Sequence, residues 1–288
     1  MANPKKQESS PRTHEVVSPE SIKSELQDYS APILIQDLEF HLDLFSQRFL
    51  AKLASILQDV LLFQFGARTA ALGKRVGERR AWDVAGEVYR TLGRQMFPVS
   101  PHVDKIDVLS LDFDDLSKQG LLRLIRIYGD QWIKVGMYWV GQATQLCSPE
   151  MPAISEEVYG AVARYEMPKL AELAGVSLDH VVGYVKVNQL SIDCTQGYRS
   201  VKEIINDDEI NVNLYGCDVW GKLRDQGVFN DQTALNMCER EAGLAAILHG
   251  APQNTCVIPK KPGVGFKGVV PGEPICIMQL KRADSKAK

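Results

Sequence analysis

Close cysteine pairs, long unbroken apolar runs and any large excess of charge are all missing from this 288-residue chain. Six cysteines in that length are too few for a disulfide framework, and without C-x-x-C pairs the sequence offers no zinc ribbon or finger. The longest apolar stretch, residues 53–66, is broken by Gln58, Asp59 and Gln64. It falls short of the roughly 20 residues a bilayer helix needs, so no membrane partner is expected. Lys plus Arg 33 against Asp plus Glu 36 gives a net charge of −3, too weak a field to gather nucleic acid. No charged-then-apolar leader opens the chain, and the closing Lys286-Ala287-Lys288 is neither an ER-retention nor a peroxisomal signal. The expected compartment is the reducing cytoplasm.

What is present is ordinary globular material, 45% hydrophobic and 24% charged, long enough for one large domain or two modest ones. Residues 1–30 carry Pro, Ser, Lys and Glu with no apolar period and read as a tail. Residues 31–196 read as mainly helical. Apolar residues recur at helical spacing over 38–65, then over 81–96 up to Pro98, and from Asp114 to about 128. Trp132, Ile133, Val135, Tyr138 and Trp139 favour a strand over 131–140 with Gly136 as a bulge. Two further helices are expected at 155–174, interrupted by Pro168, and 178–190.

Residues 197–282 differ in character. Runs 201–205 and 209–215 flank Asn206-Asp207-Asp208, and Ile210, Val212 and Leu214 alternate with Asn211, Asn213 and Tyr215, the pattern of a hairpin with one wet face. A short helix is expected over 217–227 and a better one from Asn230 to His249, with Gly250 as its stop. Strands at 255–258 and 274–280 close the region, and 283–288 is a short tail. The fold class implied by this order is α+β, a helical N-terminal layer packed on a small antiparallel C-terminal sheet.

Four of the six cysteines, Cys217, Cys238, Cys256 and Cys276, fall in this last region at spacings of 21, 18 and 20. Such distant thiols do not build a metal site on one turn, and no metal is expected. A buried thiol is often only a small apolar side chain. Cys217 differs, because it follows a strand and stands where a helix is expected to start, and amide dipoles at a helix start lower a thiol pKa. Cys238 and His249, eleven residues apart on the 230–249 helix, share one face with Ala242 and Ala245 between them. His249 at a helix C-terminus suits a general acid or anion binder, and Glu241 lies near enough to the stripe to serve as a base. The Gly263–Gly268 stretch lacks the Gly-Lys-Ser/Thr ending of a phosphate loop and reads as a connector, and the Lys74, Arg75, Arg79, Arg80 run reads as a solvated helix face.

The run Asn211-Val-Asn-Leu-Tyr-Gly-Cys217-Asp218-Val-Trp220, then Asn236-Met-Cys238-Glu239, then Gly272-Glu-Pro-Ile-Cys276-Ile-Met-Gln-Leu280, resembles the C-terminal half of the L-2-amino-thiazoline-4-carboxylic acid hydrolase family and its uncharacterised relatives. The resemblance covers about 80 residues and is looser over 65–93. It implies hydrolytic opening of a small cyclic amidine-like ring at a C–N or C–S bond, with Cys217 and Cys238 carried over as matching positions, while the long first helix and extended N-terminus read as a divergent branch with a substrate from specialised metabolism. His249 and Glu241 are candidates from the residues alone.

The resulting expectation is a cofactor-independent hydrolase of a small heterocyclic substrate, with catalytic candidates Cys217, Cys238, His249 and Glu241. A non-catalytic small-molecule-binding protein, or a cofactor-free isomerase or cyclase on the same fold, stays open. So does a homodimer through the apolar 38–65 helix.

Overall fold

The computed structural model describes residues 42–96, 112–192, 194, 198–217, 251–252, 254–261, 274 and 276–283. The expectations for 1–30, for the start of the first helix, for Cys238, Glu241 and His249 on the 230–249 helix, and for the Gly263–Gly268 stretch lie outside these residues. The α+β class is borne out: among the described residues five α-helices precede four strands.

A 3-10 turn, Leu42–Leu44, leads into α1, Gln47–Val76. Ser46 sets that start, its Oγ accepting the Phe49 N–H at 3.2 Å and so satisfying a donor that the helix cannot. The helix runs past the expected end at Phe65. It stops at Gly77, whose φ of 87° only glycine adopts freely, and α2, Glu78–Met96, begins after that single residue. Ser117 caps α3, Lys118–Cys147, through an Oγ bond from Gly120 N.

The expected strand at 131–140 is thus the middle of a 30-residue helix. Trp132, Val135 and Trp139 are buried on one face at spacings of three and four, and that burial overrides the strand preference of their side chains. In α4, Met151–Ala174, Pro168 sits inside the helix and does not interrupt it. Pro168 and Arg164, whose carbonyl loses its donor, are both exposed, so water can satisfy the freed oxygen. α5 is shorter than expected, Val181–Asn188.

α1 is the hub of the helical layer, with α2, α3 and α4 all packed on it. By length and composition it is apolar enough to cross a membrane. In this fold Leu50, Leu53, Leu57, Leu61 and Leu72 are buried in the common core, as in the core helix of a bundle. The basic run at its end is tied down: Arg75 bonds Glu157 of α4 at 2.7 Å, and Lys74 bonds the same carboxylate. Those bonds, Lys74 first and Arg75 next, hold the Glu157 carboxyl below the usual carboxylate range.

The sheet order is β1-β2-β4-β3, all antiparallel, from Tyr198–Asn206, Glu209–Cys217, Thr255–Lys261 (β3) and Cys276–Arg282 (β4). Ile210, Val212 and Leu280 bury their side chains in the same core as the helices. The hairpin turn also docks α5. Val182 N donates to Asp207 O at 3.0 Å, and Val181 N reaches an Asp208 carboxylate oxygen at 3.4 Å. A negative charge at a helix start offsets the unpaired N–H groups there. Arg282 and His180 lie within 3.4 Å of Asp208, so one carboxylate joins α5, the hairpin and β4. At the other end of α5, the buried Glu166 of α4 accepts Ile192 N at 2.7 Å.

Candidate functional site

Residues paired across antiparallel strands share a sheet face. Val212 is buried towards the helices and pairs with Lys202, and Leu214 packs against the core and pairs with Cys276. Lys202 and Cys276 therefore belong to the helix-facing side. Cys256 pairs with Lys281, and both are exposed on the outer side.

The register of β1 with β2 is broken once near its end: Ser200 pairs with Leu214, but Arg199 pairs with Gly216. Tyr215 is the extra residue of a bulge, and the bulge resets the alternation. Tyr198 then pairs with Cys217, so the backbone register returns position 217 to the face of Ser200 and Lys202. In an unbroken strand it would fall with Asn213 and Tyr215 on the other face. Strand β2 continues through Cys217, so the expected helix cannot begin before residue 218. Residues 218–250 lie outside the described residues, and Cys238, Glu241 and His249 with them.

The turn between α5 and β1 adds a third thiol. Cys194 N donates to Ser191 O at 3.1 Å, and Asn188 Nδ2 donates towards Cys194 Sγ at 3.5 Å. Lys202 lies within electrostatic reach of this thiol. Burial lowers the Lys202 pKa to about 8, and the Cys194 charge opposes that shift. Near pH 8 half of this amine is neutral, able to take a proton from a thiol or a water. The end of one sheet face thus carries Lys202, Cys276 and register position 217, with Cys194 and Asn188 beside it. Neither Lys202 nor Cys194 stands out in the sequence, where a lysine between Val201 and Glu203 looks like any strand residue.

The lowered lysine pKa has a consequence for stability. The folded value of about 8 lies below the ordinary 10.5, so between these values the unfolded chain holds a proton that the folded chain does not. Stability should therefore rise with pH through that window. Lys202→Met should remove this rise and stabilise the protein by about 1–2 kcal/mol at pH 7, where the folded wild type carries the buried charge. Urea unfolding at pH 7 and pH 10 checks it; equal slopes for wild type and variant would contradict it.

Among the described residues no group of three or more His, Cys, Asp or Glu could hold a metal ion. A groove of about 540 Å³ runs between α1 and α4, lined by Phe63, Gly66, Ala70, Ala161 and Tyr165. Its acids are engaged elsewhere, Asp59 with Lys169 at 3.6 Å and Glu157 with Lys74 and Arg75, and it gathers no nucleophile. The sheet end is the better candidate for chemistry. No family model, curated protein or solved structure matches the chain.

Proposed function

We propose that the protein is a cofactor-independent hydrolase that opens a small cyclic amidine-like ring, with the thiol of Cys217 as nucleophile or hydrogen-bond donor. The observation that supports this reading is a lysine of pKa about 8 beside Cys194, on the sheet face to which the backbone register also assigns Cys276 and, opposite Tyr198 and so four residues along β1 from Lys202, position 217. A nearly neutral amine and a thiol can share a proton at working pH, which supplies the thiolate that nucleophilic attack needs.

In this scheme the thiolate adds to the ring carbon between nitrogen and sulfur. The ring C–S bond then breaks, the departing sulfur keeps the electron pair and takes up a proton, and water releases the enzyme thiol. The net change is one water consumed: the ring C–S bond and the amidine C=N double bond are lost, the water oxygen becomes a C=O, and its two hydrogens go one to the departing sulfur and one to the ring nitrogen. Lys202 accepts the first proton. Glu241 and His249 are proposed as base and as acid or carboxylate partner, and Cys238 as a second thiol of the site. Cys147 and Cys256 are free thiols, and the proposed location is the reducing cytoplasm.

The test is turnover of L-2-amino-thiazoline-4-carboxylic acid by the full chain, followed by the appearance of free thiol. Release of one thiol per ring opened, without added metal or cofactor, supports the reading. No release from this ring or from its unsubstituted 2-aminothiazoline core, with the acid bound unchanged, turns the site into a binding site and ends the proposal.

A further inference from the structure

The helical layer holds a group that no sheet-end chemistry uses. Arg68 of α1 is buried, 5% exposed, at the centre of α1, α3 and α4. Its guanidinium carbon lies 5.7 Å from the Trp132 ring centre and 5.1 Å from that of Trp139. Burial pulls its pKa below the ordinary arginine value, and Tyr159 of α4 opposes that in part. Gly136 leaves room for this placement, since a Cβ there would lie 3.1 Å from Arg68 Nη2 and push the guanidinium aside by a few tenths of an ångström. Aromatic faces stabilise a desolvated guanidinium, but they do not use its N–H donors.

One donor is satisfied, Nε to Gln64 Oε1 at 3.1 Å. Among the described residues no carboxylate pairs with Arg68. The polar atoms around it make the imbalance sharper. Gln64 Nε2 and Trp139 Nε1 are buried without a partner. Both can only donate. Buried polar groups are nearly always satisfied, and a buried cation without an anionic partner is the costliest kind of exception. A water could take two of these hydrogens but brings no charge. A planar carboxylate fits the demand: two oxygens for the guanidinium edge, with lone pairs left for the amide and indole N–H groups.

We propose that Arg68, Gln64 and Trp139 form an internal anion site that takes the carboxylate of a small organic acid at the free edge of the guanidinium. It is separate from the proposed thiol chemistry and stands or falls independently of it.

The probe is sodium acetate, titrated into the full chain in parallel with sodium chloride and sodium phosphate at matched ionic strength, and read by tryptophan fluorescence and thermal melting. The expected result is a saturable fluorescence change and a raised melting temperature with acetate, at least tenfold tighter than with chloride or phosphate. Arg68→Met should abolish saturation, since an apolar side chain of similar length fills the core without the charge. Trp139→Phe keeps a stacking ring and loses only the N–H, and should weaken acetate about threefold to tenfold. Should Arg68→Met fail to fold, the Trp139→Phe comparison carries the test. A response that is linear in salt, equal for chloride and acetate, or unchanged in Arg68→Met and Trp139→Phe overturns the assignment.

Discussion

Cys217→Ser is expected to lower kcat for ring opening by roughly a thousandfold or more, with little change in substrate affinity. A serine hydroxyl is far weaker as an acid than a thiol, so an amine titrating near 8 cannot convert a useful fraction of it to the nucleophilic form. Lys202→Met should act differently. It removes the proton acceptor but not the nucleophile, so the rate falls less and the rise of kcat/KM with pH through about 8 disappears. Cys256→Ser, exposed on the outer face, is the matched control and should leave kcat/KM within about twofold. Steady-state rates from pH 6 to 10 for the three variants separate these outcomes. A Cys217→Ser enzyme as active as the Cys256→Ser control would remove the nucleophile from the scheme.

The largest stability effect is expected at Trp139. Its side chain is 1% exposed in the core, so Trp139→Ala should cost about 3–5 kcal/mol from lost contacts and the cavity left behind. The cost should sit at the upper end, because Arg68 loses the nearer of its two ring partners while staying charged and buried. Trp82→Ala should change stability by less than about 0.5 kcal/mol, because Trp82 is 66% exposed. Denaturant midpoints of the two variants decide it; similar losses at both positions would contradict a bundle core built around Trp139.

Much of the fold was legible because its elements satisfy local rules. The hairpin came from strict alternation at Ile210, Val212 and Leu214 and from the Asp207-Asp208 turn, and the register bears this out. The helices of the first layer came from apolar spacing. The 131–140 segment misled because tryptophan, valine and tyrosine favour strands in isolation, while the spacing of Trp132, Val135 and Trp139 already matched a helix. Pro168 misled because its cost depends on whether the freed carbonyl meets water, which only the assembled surface decides.

The candidate site was legible only in part. Cys217 could be singled out by position, but the register that returns position 217 to the face of Cys276 depends on a bulge at Tyr215 that no sequence pattern announces. Lys202 and Cys194 meet because β1 returns past the end of α5, a tertiary fact. For Arg68 a signal did exist: Gln64 and Arg68 interrupt an apolar stripe that runs from Leu57 and Leu61 to Leu72. Ending the first helix at Phe65 hid it, because Arg68 then fell outside the periodic segment.

The central claim is that the sheet end holds a thiol activated by a neighbouring amine, and site-resolved alkylation tests it most directly. Full-length protein is treated with iodoacetamide from pH 6 to 9, with and without L-2-amino-thiazoline-4-carboxylic acid, and each cysteine is followed by mass spectrometry. The account predicts that Cys217 reacts first, that its rate levels off at or below about pH 8, that the acid protects it, and that Lys202→Met moves the midpoint to higher pH. Labelling of Cys217 no faster than that of the exposed Cys256, and indifferent to both the acid and Lys202, would contradict it.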